Sequence, residues 1–99
     1  MKNISKVIWS EEAIDNLKEI IDFLEWKWTE RELKNFAKKL ERQIHNIKKH
    51  PLSYPKSKKT NIRRAVMTKQ TTIYYDISND AIRIVSLFDN RKDPKKLKI

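Results

Sequence analysis

Nine side chains in the second half of this 99-residue chain could do chemistry by type and spacing. They are Lys56, Lys58 and Lys59 within four residues, the pairs Arg63-Arg64 and Tyr74-Tyr75, and Arg91 with Lys92. Guanidinium and ammonium groups bind phosphate and carboxylate oxygens, and a phenol can give up or accept a proton. The charge is unevenly placed. The whole chain has 23 Lys and Arg against 13 Asp and Glu, a net +10. Residues 1–50 hold 11 basic and 9 acidic side chains, and residues 51–99 hold 12 and 4. The second half is therefore the electrostatic face, suited to nucleic acid, the ribosome or an acidic protein partner.

Composition removes other chemistries. With no cysteine there is no disulfide framework, thiolate nucleophile or zinc ribbon. His45 and His50 lie five apart without neighbouring carboxylates or cysteines, a poor metal site, and read as solvated or capping side chains. Glycine is absent altogether, which excludes a P-loop, a dinucleotide fingerprint and a nucleophile elbow. No metal or cofactor is expected. No apolar run approaches a membrane span, and the N-terminus lacks a signal-peptide core, so a cytosolic protein is expected.

The elements that must position these groups follow from periodicity. Residues 62–67, 71–77 and 81–88 are rich in Ile, Val, Thr and Tyr and read as three short strands. Thr68-Lys69-Gln70 and Ser78-Asn79-Asp80 supply the turns of an antiparallel meander, with Asn79-Asp80 best able to replace glycine. On the middle strand Ile73, Tyr75 and Ile77 share one face, while Thr72, Tyr74 and Asp76 share the other. Tyr75 thus reads as core and Tyr74 as the functional candidate. Arg83 lies in the most apolar strand and is expected to pair with Asp76.

Upstream, residues 4–9 predict a strand with Val7 and Trp9 on one face and Ile8 on the other. Ser10 reads as the N-cap of a helix whose stripe is Ala13, Leu17, Ile20, Ile21, Leu24 and Trp28. Thr29 and Glu32 form a capping-box pattern opening a second helix, with the stripe Leu33, Phe36, Ala37, Leu40, Ile44 and Ile47 and a stop at Pro51. The two stripes need a partner, and the sheet is the only candidate of sufficient size. Trp26 lies off the first stripe, and an exposed indole there would suggest a protein contact. Residues 51–61 form a basic loop in which Tyr54 could act as a lid over the sheet edge. The expected fold is α+β, a single domain over 1–99 in the order β-α-α-β-β-β. A helical hairpin packs on one face of an antiparallel-rich four-stranded sheet.

This order and several segments resemble the RelE/ParE superfamily of type II toxin–antitoxin toxins. VIWSEEAIDNLKEIIDFL at 7–24 looks like the family's opening strand and first helix, and HPLSYP at 50–55 like the loop after its second. IRR at 62–64, TIYYDI at 72–77 and IRIVSLFDNRKDP at 82–94 resemble its closing strands. The resemblance implies a protein that arrests growth when freed from an acidic cognate antitoxin. It also implies one of two targets: DNA gyrase for ParE-like members, or mRNA in the ribosome for RelE-like endonucleases.

RNA cleavage through a 2′-hydroxyl needs a base, an acid and charge stabilisation at phosphorus. The resemblance implies Arg63 and Arg91 as the catalytic pair if the chain is a nuclease. Thr72 stands where that branch has an arginine, and the tail after Asp93 lacks the tyrosine that closes it. These departures favour the ParE-like reading, a non-catalytic gyrase inhibitor. Its target contacts would be Lys56, Lys58, Lys59, Arg64, Tyr74, Arg91 and Lys92. A third reading is an inactive domain that binds only antitoxin or nucleic acid.

Overall fold

The computed structural model describes residues 6–27, 30–93 and 95. Its elements are β1 (Lys6–Trp9), α1 (Glu11–Lys27), α2 (Glu30–Lys49), β2 (Arg63–Val66), β3 (Thr71–Ser78) and β4 (Ala81–Asp89). The four strands form one sheet in the order β1-β4-β3-β2. β2, β3 and β4 make the expected antiparallel meander, and β1 joins β4 in parallel. The residues Trp28 and Thr29, nominated for a core contact and a helix cap, lie outside the described residues, as does Ile4. The expected single α+β domain with a helical hairpin on one sheet face is what forms.

β1 covers only part of β4, pairing Lys6 to Trp9 with Ala81 to Ile84. Beyond Ile84 the edge of β4 needs other partners, because a buried backbone polar group without one is costly. Helix α1 supplies them. Ser10 N donates to Ile84 O at 3.0 Å, and Ser10 Oγ donates to Val85 O at 2.8 Å while capping Ala13 N at 3.0 Å. One turn further on, Asn16 Oδ1 accepts from Leu87 N at 3.1 Å and from Ser86 Oγ at 3.0 Å. Asn16 Nδ2 donates to Glu12 Oε2 at 2.9 Å, which fixes the amide's orientation. The site of this join is a β-bulge: Tyr74 pairs with Ser86 but Tyr75 with Ile84, leaving Val85 as the extra residue.

The core lies between this sheet and the sheet-proximal parts of the helices. It comprises Ala13, Ile47, Ala65, Ile73, Tyr75, Ile82, Ile84 and Leu87. Truncating a buried isoleucine of this set to alanine would cost roughly 2–5 kcal/mol. The helical stripes are not buried along their whole length, which corrects the expectation that the sheet covers them. Ile47 is the buried residue of α2, Leu33, Phe36 and Leu40 are half-buried, and Ala37 is exposed. On α1 Ala13 is buried while Leu17, Ile20, Ile21 and Leu24 are only half-buried, and Trp26, expected off the stripe, is 80% exposed. α1 follows Ser10 without a connector, so its first turn is tied to β4. Between its far end and the sheet lies a groove of about 890 Å³.

Both tight turns work without glycine. Thr68 Oγ1 accepts from Gln70 N at 3.1 Å and Thr71 N at 3.0 Å, closing the β2–β3 turn. Asn79 takes the left-handed conformation, with φ of 57°, between Ser78 and Ala81, where a short polar side chain tolerates it.

Replacing Asn16 by alanine strands the Leu87 N–H and the Ser86 hydroxyl together. The expected loss is about 1–3 kcal/mol, read as a lower urea midpoint at unchanged m-value, whereas Asn35→Ala on exposed α2 surface should move it little.

Candidate functional site

The face of the sheet turned away from the helices is open. Register places Val66, Thr72 and Phe88 in one row across it, Arg64 and Tyr74 in the next, and Asp76, Arg83 and Ile8 in a third. Val66 is 62% exposed, and Arg64 is exposed as well. Tyr74 stands edge-on to Phe88 with ring centroids 6.4 Å apart, so the phenol is half-buried and oriented. Arg83 Nε donates to Asp76 Oδ1 at 3.0 Å and the guanidinium binds the second carboxylate oxygen too. The expected Arg83–Asp76 pair is present and largely cancels both charges. Among the described residues Arg64 and, at the β1 end, Lys6 are left as unpaired cations of this face.

Arg63 faces the other way. It lies opposite Tyr75 in the ladder and is half-buried. Its Nη1 donates to Tyr54 O at 2.7 Å and Leu52 O at 3.4 Å. Beside it the Tyr75 hydroxyl donates to Pro51 O at 2.6 Å, and the Tyr54 ring sits edge-on to Tyr75 at 6.1 Å. Burial pushes the Tyr75 phenol up to about 12, with the nearby Arg63 charge partly opposing it. These contacts pin the start of the 51–61 loop beneath β2. Backbone bonds finish the attachment: Arg64 N to Pro55 O at 3.0 Å and Ser57 N to Ile62 O at 2.8 Å. Lys56, Lys58 and Lys59 are thereby held, exposed, along the outer edge of β2, next to Arg64 and Tyr74.

At the opposite end of the sheet, Arg91 is bound to its own turn. Its N and Nε donate to Asp89 Oδ1 at 2.9 and 3.0 Å, and Nη2 donates to Oδ2 at 3.0 Å. The Arg91 side-chain hydrogen bond holds the Asp89 carboxyl below its ordinary value against a small opposing effect of burial. Asp89 in turn keeps Arg91 more firmly protonated. Lys92 Nζ reaches Glu19 on α1 at 3.6 Å. Asn90 ties this exit to the β2–β3 turn, with its N on Gln70 O at 2.7 Å, Nδ2 on Lys69 O at 3.2 Å, and Oδ1 accepting from Thr72 Oγ1 at 2.9 Å.

The nominated residues thus fall into two groups. Arg64 and Tyr74 share the open face, and Lys56, Lys58 and Lys59 are exposed on the loop along the edge of β2, where Lys56 bridges Arg63 and so lies on that residue's side. Arg91 and Lys92 lie at the mouth of the groove, whose apolar walls are Ile20, Phe23, Leu24, Phe36 and Leu87. Arg63 and Arg91 are not brought together: their attachment points on β3, Tyr75 and Thr71, are four residues or about 13 Å apart along the strand. Sequence reasoning missed the Arg63 clamp and the Asn16 capping role. The signal for the first was a strand arginine facing a proline-interrupted loop with carbonyls left to satisfy. For the second, nothing in the helical pattern distinguishes Asn16 from a solvated asparagine.

Residues 7–94 match the family model for the ParE toxin of the type II toxin–antitoxin system parDE. Among curated proteins nothing matches significantly. The chain superimposes on the chromosomal ParDE TA system from P. aeruginosa with a TM-score of 0.72 and 11% identity, covering 89% of this chain and 98% of that one. A YoeB/ParE toxin from Agrobacterium tumefaciens gives 0.63 at 14% identity, over 87% and 99% of the two chains. The YoeB-YefM complex from Staphylococcus aureus gives 0.58 at 16% identity, over 84% and 93%. At these identities the likeness is one of fold.

The Tyr75 contact has a pH signature. The folded phenol titrates near 12 and an unfolded one near 10, so its contribution is complete below about pH 10 and is lost as pH rises through the folded value. Tyr75→Phe should lower stability by about 0.5–1.5 kcal/mol at neutral pH. It should also flatten the alkaline decline in a series of urea melts between pH 9 and 12.

Proposed function

We propose that this chain, which belongs to the ParE toxin family of type II toxin–antitoxin systems, arrests growth by binding DNA gyrase rather than by catalysing a reaction. The observation that carries this reading is the engagement of both nominated catalytic arginines. Arg63 spends its hydrogen bonds on the carbonyls of Leu52 and Tyr54, and Arg91 on the carboxylate of Asp89. Neither guanidinium is aimed at a common point where a phosphorane could form, and stabilising developing charge requires donors preorganised around that point. Near β2, cations without an ion pair among the described residues gather instead on Lys56, Lys58, Lys59 and Arg64, with Tyr74 opposite Arg64. That is an arrangement for contact. Arg91 and Lys92 extend it at the far end of the sheet, where their ion pairs are exposed enough to be exchanged for a target's carboxylates.

An acidic cognate antitoxin neutralises the toxin in this reading. Its extended segment meets the open sheet face at Arg64 and the 56–59 loop, and an amphipathic part fills the groove. Groove volume and apolar walls suit that role, and one of the structural neighbours is a YoeB-YefM complex.

The first test is gyrase itself. Purified protein should block supercoiling and trap cleaved plasmid, and Arg64→Ala with Tyr74→Ala should weaken this about tenfold at unchanged thermal stability. Unimpaired gyrase together with mRNA cleavage on translating ribosomes would transfer the assignment to the RelE-like nuclease. The antitoxin contact is tested separately. A synthetic acidic antitoxin segment should raise the melting temperature, and its affinity should fall as salt rises from 50 to 500 mM. Indifference to salt would remove the electrostatic contact.

A further inference from the structure

The two helices of the hairpin carry opposite charge. α1 has six carboxylates and two lysines, whereas α2 has seven cations and three carboxylates. A chain that was merely rich in lysine would show the excess on both. Within α2 the cations are also sorted by face. Arg31, Asn35, Lys38, Arg42, His45 and Lys49 are all exposed, and at about 100° per residue they fall within roughly a quarter of the helix circumference. This row lies opposite the apolar stripe Leu33, Phe36, Leu40, Ile44 and Ile47. It contains no carboxylate. Among the described residues none of its four cations is in an ion pair, while Lys34, off the row, is matched to Glu30 at 3.8 Å.

Folding alone gains nothing from such a row, since like charges one turn apart repel. From Arg42 to Tyr75 there are nine Lys and Arg and no Asp or Glu, so neighbouring segments add to the field rather than cancel it. A polyanion laid along the helix would turn that repulsion into attraction.

We infer that the solvent face of α2 is a docking ridge for duplex DNA. The row runs for 18 residues, about 27 Å, which matches the backbone of roughly eight base pairs at 3.4 Å each. A helix of this width enters a B-form major groove, whereas the deep, narrow major groove of duplex RNA excludes side chains. A protein partner would call for an apolar or aromatic centre in the contact, and the row has none. Single-stranded nucleic acid would call for stacking platforms, and the row offers no Phe, Tyr or Trp. Contacts from cations to phosphates carry no sequence information, so the binding is independent of sequence. The ridge lies on the opposite side of the molecule from the open sheet face, leaving the 56–59 corner free for another partner. The inference does not depend on gyrase being the target.

The test is anisotropy of a labelled 20-base-pair duplex titrated with the purified full chain between 50 and 300 mM salt. Lys38→Gln/Arg42→Gln/Lys49→Gln should weaken binding at least tenfold at 50 mM salt and reduce the slope of log affinity against log salt by about 2.7, or 0.9 per phosphate contact. Lys6→Gln/Lys18→Gln/Lys69→Gln removes the same charge elsewhere and should change affinity less than about threefold. Arg42→Gln alone, a mild change at an exposed helical position, should lower the slope by about one. Equal losses in the two triple variants would overturn the inference. So would no duplex binding by the parent protein at 50 mM salt, or binding to single-stranded RNA or polyglutamate as tight as to duplex.

Discussion

The structure depends on how the uncovered half of β4 is satisfied. β4 is the strand around which the sheet is laid out, yet β1 pairs with only its first four residues. In the remainder Val85 O, Leu87 N and the Ser86 hydroxyl are held by two side chains, Ser10 at the N-cap of α1 and Asn16 within it. That requirement fixes where α1 starts and how it is rotated. The groove is the consequence. A helix anchored by its N-terminal turns diverges from the sheet at its other end, and the hairpin leaves apolar surface on Phe23, Leu24 and Phe36.

A second set of contacts sorts the cations by whether they are already bound. Arg63 and Tyr75 satisfy three loop carbonyls, at Pro51, Leu52 and Tyr54. Arg83 and Arg91 are matched by Asp76 and Asp89. Exposed ion pairs contribute little to stability, but they remove charge from the surface field. Among the described residues the unpaired cations cluster in two places, Arg64 with the 56–59 loop on one side and the row along α2 on the other, with Lys6, Lys18 and Lys69 scattered elsewhere.

Much of this was legible in the residues. Alternation on β3 separates Tyr75 from Tyr74 because side chains on a strand point to opposite faces. The Arg83–Asp76 pair follows from the cost of an unpaired charge in an apolar strand. Ser10 followed by Glu11 and Glu12 announces a helix start, and Asn79 is the residue best suited to a left-handed turn in a chain without glycine. The extent of burial was not legible. An apolar stripe records which side of a helix faces inward, not how much of its length meets a partner, so Ala37 reads as covered when it is exposed. Nor could the clamp by Arg63 be read, because its acceptors are backbone carbonyls eleven and nine residues away, and carbonyls have no sequence signature. An arginine near a phosphate-binding loop looks the same whether it serves a substrate or the loop itself.

The parallel pairing of β1 with β4 also sets an order of assembly. Lys6 meets Ala81, and Ser10 meets Val85 across 75 residues of sequence, so the first strand has no partner until residues 81–84 have been made. Closing so long a loop is an entropic step that local contacts cannot prepay, which makes such pairings slow. During synthesis the helical hairpin emerges early with its apolar stripe uncovered, and the meander that should receive it follows only at the end. A chain interrupted before residue 81 has neither its central strand nor the backbone groups that position α1. A fragment that stops there keeps the β2–β3 hairpin with Arg64 and Tyr74 but leaves β3 without its partner on the other side.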